Sequence, residues 1–413
     1  MARSHFLQRA IAPVLRRAAR EFPAVILTGP RQTGKTTLLR ELFGSTHRYA
    51  SLDDPATRRF AAEEPSLFLE RFAPPVIVDE VQHVPSLLTT IKLAIDAKRS
   101  FPGQFLITGS QQLSLMAGVS ESLAGRAAIL SLLSLSLGER FRSPSSSPFT
   151  SGAGSSRGVK AHSRESLAKL WIRGSWPELV SQPERDAGLW YSSYLQTYLE
   201  RDVRSLRNVG DLREFQSFLL ACAARCAQIL SLSDLSRDLG VAVNTVKAWI
   251  SVLEASQQAI LLRPYFRNVG KRLVKSPKLY FLETGFLCHL LSLRDADHAM
   301  SGPAGGALLE TAVLCEILRG FMNRGEVPRV YYWRTAQGDE VDFLIEWEGR
   351  LRAIEVKLTS DPKPEHAAGI ARLRELLPEV ASGEVVCLTR ERLPLSRGVD
   401  AVPFMDFALH RTY

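Results

Sequence analysis

No stretch of about twenty consecutive apolar residues occurs in this chain, so nothing in it is long enough to cross a bilayer as a helix. Cysteine is scarce. The five present, at positions 222, 226, 288, 315 and 387, are odd in number and scattered. Cys222 and Cys226 stand one helical turn apart, with no second pair to complete a zinc site. The same count excludes a disulfide scaffold and fits a reducing cytoplasm. The N-terminus begins basic but lacks a continuous apolar core, because Arg9, Arg16, Arg17 and Arg20 interrupt it. It does not read as a secretory signal. Residues 5–21 read instead as an amphipathic helix feeding a first strand. Acidic residues are outnumbered, 43 against 52 basic ones, for a formal net charge of +9 and an isoelectric point near 9.4. That balance is compatible with a nucleic acid or another polyanion as partner and does not select one. With 45% hydrophobic and 23% charged residues, the composition is globular. At 413 residues the chain exceeds what one core serves, so two or three domains are expected.

What is present begins with Gly29-Pro30-Arg31-Gln32-Thr33-Gly34-Lys35-Thr36, which matches the phosphate-loop pattern G-x-x-x-x-G-K-[ST] at every fixed position. An apolar strand, Val25-Ile-Leu-Thr28, precedes it, and a helical run from Thr37 follows. A strand turning tightly into a helix N-terminus aims successive N–H groups, and the positive end of the helix dipole, at one spot. Residues 29–37 are therefore the expected polyphosphate cradle. Lys35 would reach the β- and γ-phosphates, and the Thr36 hydroxyl would ligate Mg²⁺.

Pro75-Val-Ile-Val-Asp79-Glu80 reads as a buried parallel strand ending in two carboxylates. Asp79 would hold Mg²⁺ through its water shell, and Glu80 would orient or deprotonate the attacking water. A third apolar strand ends in Thr108-Gly109-Ser110. Parallel strands finish on one sheet edge, so Thr108 or Ser110 is expected near the γ-phosphate or that water. Arg126, in Ser122-Leu-Ala-Gly-Arg126, reads either as a cation sensing the γ-phosphate, in its own subunit or a neighbour's, or as the partner of a surface acid. Arg31, inside the loop, is a weaker candidate for the same role. The Asp79-Glu80 pair suits water activation better than phosphoryl transfer to a metabolite, which weighs against a small-molecule kinase.

In this order and spacing the motifs resemble the AAA-type ATPases of a poorly characterised bacterial and archaeal family. Ser51-Leu-Asp-Asp-Pro55, Asp79-Glu-Val-Gln-His-Val-Pro85, Tyr198-Leu-Glu-Arg-Asp-Val203, Lys278-Leu-Tyr-Phe281, Glu340-Val-Asp-Phe-Leu344 and Glu355-Val-Lys357 fit the same family. The resemblance implies an α/β chain: a P-loop NTPase parallel sheet core, a helical and winged-helix middle region, and a C-terminal domain similar to PD-(D/E)xK nucleases. ATP rather than GTP follows from the resemblance alone. Glu283 departs from it, standing where the family usually shows aspartate, and a Ser/Pro/Gly tract interrupts the chain after residue 141.

Composition sets the expected boundaries at 1–140 for the ATPase core, 141–165 for a flexible Ser/Pro/Gly-rich insert, 166–295 for the middle region and 300–413 for the C-terminal domain. Within the middle region, residues 232–250 have the rhythm of a helix-turn-helix. Gly240 would make the turn, Asn244 or Thr245 would open the second helix, and Val246 and Ile250 would face the core. Ala259–Leu262 and the basic run through Arg267, Lys271 and Arg272 would form a wing. Lys247 and those basics suit DNA phosphates, and a scaffold or protein-docking module is the other reading.

Near the end, Glu348-Gly349 reads as a two-residue hairpin turn. Trp347 then faces Arg350, and counting outward sets Asp342 opposite Glu355, about 5 Å apart, with Lys357 on the same face. Facing carboxylates repel unless a cation lies between them. Mg²⁺ held by Asp342 and Glu355, with Lys357 on a phosphate, is the nuclease arrangement. Glu310, on a helical stripe with Val313 and Ile317, is a third candidate ligand. The combined expectation is a cytoplasmic, Mg²⁺-dependent ATPase whose nucleotide state controls a C-terminal DNA-binding or nuclease-like module, with a homo-oligomer or a protein partner left open. The alternative is a nucleotide-gated DNA-binding regulator or scaffold that does not cut.

Overall fold

The computed structural model describes residues 6–109, 123–141, 163–203, 212–266, 276–347 and 349–410. The Ser/Pro/Gly tract, Ser110, Arg267, Lys271 and Arg272 lie outside the described residues. The N-terminal region runs α1 (Ala12–Glu21), β1 (Ala24–Thr28), α2 (Lys35–Phe43), β2 (Arg48–Ser51), α3 (Pro55–Glu63), α4 (Pro65–Arg71), β3 (Val76–Asp79), α5 (Leu87–Ala97), β4 (Phe105–Gly109), β5 (Ala127–Ser131) and α6 (Leu137–Phe141). Its five strands form a parallel sheet in the order β2-β3-β4-β1-β5. β1, β3 and β4 are buried end to end, as strands covered on both faces are. Val25 and Leu27 pack with Ile11, Leu15, Leu38 and Leu39. Ala24 and Ile26, pointing to the other face, pack with Phe68, Leu87, Ile91 and Ile95. α1 starts at Ala12 rather than near residue 5. Pro13 lacks the N–H that an interior position must donate, so it belongs in the first turn.

The middle region runs α7 (Arg164–Arg173), α8 (Pro177–Ser181), α9 (Ala187–Thr197), a π-helical turn at Tyr198–Val203, α10 (Leu212–Ala224), α11 (Leu232–Leu239), α12 (Val243–Ala255), β6 (Ala259–Leu262), β7 (Lys278–Phe281), α13 (Thr284–Leu290) and α14 (Ala296–Ser301). Gly240 ends α11 in the left-handed conformation at φ 67°, and Val246 and Ile250 are buried. α12 opens at Val243, one residue before Asn244, with Ala242 as its N-cap. β6 and β7 pair antiparallel.

The C-terminal region runs α15 (Gly305–Asn323), β8 (Val330–Arg334), β9 (Glu340–Trp347), β10 (Arg350–Val356), α16 (Ala368–Leu376), β11 (Val380–Cys387), β12 (Leu393–Ser396), β13 (Val399–Pro403) and α17 (Phe404–His410). Its mixed sheet has the order β12-β13-β11-β10-β9-β8. The middle and C-terminal regions share one hydrophobic cluster, which extends from Trp171 and Trp176 through Phe281 to Val313, Ile317 and Phe407. Two regions that read separately in sequence therefore have one core. All five cysteines are buried and free, and no helix among the described residues is long and apolar enough to cross a membrane.

A buried polar junction ties the three regions together. Glu283, between β7 and α13, accepts the Ser175 N–H at Oε1 (2.8 Å), while its Oε2 accepts the Ser134 hydroxyl and Arg319 Nη2 (3.2 Å). Arg319 also donates to Ser134 Oγ (2.7 Å) and to Glu316 Oε1 (2.6 Å), and Glu316 Oε2 accepts the Leu137 N–H at 3.1 Å. Glycine is required beside it, because a Cβ on Gly285 would lie 2.1 Å from the Tyr191 hydroxyl and 2.8 Å from Gly174 Cα. Burial alone would lower the Arg319 pKa, but Glu316 and Glu283 outweigh it and raise it. Arg319→Met removes the guanidinium hydrogen-bonded to both buried carboxylates. It is expected to destabilise the chain by about 3–5 kcal/mol, read as a lowered midpoint of denaturant unfolding. A loss below about 1 kcal/mol would show that the junction is not needed for stability.

Candidate functional site

β1 ends at Thr28, and the chain turns through residues 29–34 into α2 with positive φ at Gly29 (144°), Gln32 (61°) and Gly34 (87°). A Cβ on Gly29 would lie 2.2 Å from the Leu132 carbonyl oxygen, so glycine alone fits. Gln32 holds its left-handed backbone at a cost of about 1 kcal/mol. Side chains on both sides brace the loop. Thr33 Oγ1 donates to the Pro30 carbonyl at 2.9 Å. Arg9, only 6% exposed, donates to the carbonyls of Thr33 (2.8 Å) and Leu133 (2.7 Å) and to Glu139 Oε1 (3.0 Å). Gly34 opens α2 with no side-chain cap. The first-turn N–H groups and the positive dipole end are therefore presented to the loop. Lys35 Nζ rests on the carbonyls of Gly29 (2.9 Å) and Pro30 (2.8 Å), which are weaker acceptors than a charged phosphate oxygen.

Side chains from three other strands meet this loop at the Asp79 carboxylate. Thr36 Oγ1 donates to Asp79 Oδ1 at 2.6 Å, the Thr108 hydroxyl of β4 donates to the same oxygen, and the Tyr49 hydroxyl of β2 donates to Oδ2 at 2.9 Å. Tyr49 is a residue that sequence reasoning missed, and the Arg40 guanidinium lies 4.9 Å from its ring centroid. Because the Thr36 hydrogen is committed to Asp79, its oxygen lone pairs are left for a divalent cation, which Asp79 would hold through water. This donor set fits Mg²⁺. Glu80 follows in the left-handed region (φ 58°); its N–H donates to Thr108 Oγ1 (3.0 Å) and its carboxylate accepts from Gln82. A cleft of about 500 Å³ lined by Thr36, Thr37, Arg40 and Tyr49 runs beside α2.

Arg126 is not brought to this site. Its carbonyl accepts the Ala24 N–H at the start of β1 (3.2 Å), whereas the loop follows the far end of that strand, roughly 15 Å away. Its guanidinium grips the Asp96 carboxylate of α5 at 2.7 and 3.0 Å. Parallel strands put starts and finishes on opposite edges, so Arg126 lies away from its own phosphate loop and pairs with a surface acid, the other reading of this residue. Arg31 stays in the loop.

In the C-terminal sheet Arg350 pairs with Trp347 and Ile354 with Phe343, which sets Asp342 beside Glu355. The Val356 N–H donates to Asp342 Oδ2 (2.8 Å), and Lys357 Nζ lies 2.7 Å from Glu355 Oε1. α15 adds Glu310. Sequence reasoning missed the residue at the centre of this group, Lys278 of β7. Its ammonium lies 2.5 Å from Glu340 Oε1, 3.2 Å from Glu310 Oε1 and 3.6 Å from Asp342 Oδ1. Tyr280, two residues along β7, donates its hydroxyl to Glu310. Burial and then the Asp342 charge push Glu310 up to about 7 and Glu355 up to about 8, and burial raises Asp342. Burial alone would lower Lys278, but Glu310, Asp342 and Glu340 outweigh it and raise it. Among the described residues no group of three His, Cys, Asp or Glu side chains is placed to hold a metal ion. A lysine ammonium thus lies beside Glu310 and Asp342, two of the three residues expected to hold Mg²⁺.

Residues 21–141 match the family model described as AAA domain, and residues 164–297 and 305–407 match two domains of unknown function. Over 399 residues the chain is 33% identical to the uncharacterized proteins Mb2031c of Mycobacterium bovis and Rv2008c of Mycobacterium tuberculosis. The matched stretch covers 96% of this chain and 83% of each relative. Among solved structures, the Walker-type ATPase of Pyrococcus abyssi is similar with a TM-score of 0.45 and 14% identity, covering 70% of this chain and 97% of that one. Thr36→Val keeps the side-chain shape and removes the hydroxyl. ATP affinity measured by calorimetry in EDTA is expected to hold within about twofold, while affinity with Mg²⁺ falls by about tenfold or more. An equal loss in both conditions would assign Thr36 to the phosphates alone.

Proposed function

Because the chain belongs to the AAA-type ATPase family of these mycobacterial relatives, we propose that it hydrolyses ATP with Mg²⁺ and that its nucleotide state controls how the C-terminal half engages nucleic acid. The observation that carries the ATPase reading is the Asp79 carboxylate shared by Thr36 and Thr108, next to Lys35 and Glu80. Residues 29–37 bind the polyphosphate, and Lys35 moves from the loop carbonyls to the β- and γ-oxygens. Thr36 and Asp79 would hold Mg²⁺, whose chemistry when bound is neutralisation of charge on the phosphates. Glu80 orients the attacking water, and Thr108 fixes both Asp79 and the Glu80 backbone. Arg126 is assigned to the site of a neighbouring subunit, which implies a homo-oligomer.

A short route from the loop supports the control step. Leu132 abuts Gly29, Ser134 bonds Glu283, and Glu283 bonds Arg319 on α15, the helix that also carries Glu310. DNA contact is assigned to the helix-turn-helix with β6 and β7, read as a winged helix, where Lys247 is exposed. Lys278 among the carboxylates favours the second reading, a cytoplasmic nucleotide-gated regulator or scaffold that binds DNA without cutting it.

The test is the rate of Mg²⁺-dependent ATP hydrolysis with and without duplex DNA. Glu80→Gln is expected to lower kcat by about 10²–10⁴-fold with ATP binding retained. Turnover unaffected by the substitution would remove Glu80 from catalysis, and turnover indifferent to DNA would remove DNA as the controlled partner. A nicking assay with Asp342→Ala separates the two readings, since only wild-type cutting that the variant loses supports a nuclease.

A further inference from the structure

The C-terminal pocket brings together Glu310 from α15, Glu340 and Asp342 from β9, and Glu355 from β10. Glu355 and Asp342 are nine-tenths or more buried, and Glu355 Oε2 has no hydrogen-bond partner. So many carboxylates at this depth repel one another strongly unless a cation is enclosed with them. That cation is supplied by the chain itself. Lys278 is 4% exposed, reaches three of the four carboxylates from the middle region, and has the Tyr332 ring 5.6 Å from its ammonium. Lys357, more exposed, attends the fourth.

We infer that Lys278 is the resident cation of this pocket and that a divalent ion enters only when Lys278 leaves. An ammonium with carboxylate oxygens at 2.5, 3.2 and 3.6 Å occupies the position among them that Mg²⁺ or Mn²⁺ would take. A divalent ion at that position would lie against the ammonium, and the two like charges repel. The C-terminal fold is therefore shut to divalent metal while β7 is seated against it. Opening it requires the β7 strand of the middle region to move relative to β9 and α15.

The test is Mn²⁺ binding by the full-length, nucleotide-free chain, followed by electron paramagnetic resonance and repeated in Asp342→Asn. Wild type at millimolar Mn²⁺ is expected to show no binding that depends on Asp342. Lys278→Ala removes the plug and is expected to bind Mn²⁺ about tenfold or more tighter than wild type. Its thermal midpoint is expected to rise on adding the metal, with both effects lost in Lys278→Ala/Asp342→Asn. Asp342-dependent binding by wild type overturns the inference, and this comparison needs no lysine variant to fold. A folded Lys278→Ala chain that takes up no Mn²⁺ overturns it as well, because the pocket would then have no affinity for a divalent ion once vacated.

Discussion

A buried cation must be enclosed with its counter-charges, and that constraint sets how the three regions of this chain meet. Four basic side chains are buried among the described residues: Arg9, Lys35, Lys278 and Arg319. Arg9 joins the N-terminal segment to the phosphate loop and to Glu139 of α6. Arg319 joins α15 to Glu283 and Ser134. Lys278 joins β7 to the C-terminal sheet and α15. Each seam is a charge taken out of water whose partners come from other elements, so shifting any one element leaves an uncompensated charge. Hydrophobic contact alone tolerates sliding. These pairs fix register.

β7 is the element through which two of these seams communicate. Its first residue, Lys278, lies in the carboxylate pocket, and Glu283, two residues past its last, lies in the junction with Ser134. Five residues of extended chain put the two contacts roughly 16 Å apart. β7 is buried along its length and tied to β6, so it moves as a unit or not at all. The junction next to the ATPase sheet and the charge balance of the C-terminal pocket therefore depend on the position of one strand.

Much of the nucleotide site was legible in the sequence because a phosphate loop is local. The glycines, Lys35 and Thr36 lie within eight residues, and the strand-end acids follow from parallel topology. The register of β9 against β10 was legible for the same reason, since a two-residue turn fixes every pair outward from it. The role of Arg126 was left open between a phosphate contact and a surface acid, because a motif says what a residue resembles, not which sheet edge it occupies; its guanidinium pairs with Asp96. Tyr49 and Lys278 were missed for a different reason. Each acts on a carboxylate far off in the chain, and a lone tyrosine or lysine on a short strand carries no periodicity that marks it. The shared core of the middle and C-terminal regions was equally hidden, because α15 is apolar on nearly every face and its neighbours are set only by the tertiary fold.

Glu283 shows how a departure from pattern acquires a physical meaning once its partners are known. The resemblance leads one to expect aspartate there, one methylene shorter. In this chain the two carboxylate oxygens serve separate elements: Oε1 takes the Ser175 N–H, and Oε2 takes Ser134 and Arg319. A carboxylate withdrawn by one methylene, about 1.5 Å of C–C bond, does not reach both sets from the same backbone position. Either α7–α8 or the segment after β5 would have to move inward to meet it. The close approach at Gly174 and Gly285 around the Tyr191 hydroxyl already leaves no slack for that movement. The longer acid and the glycine-lined seam therefore act as one solution, in which side-chain length sets the spacing between the ATPase sheet and the shared core.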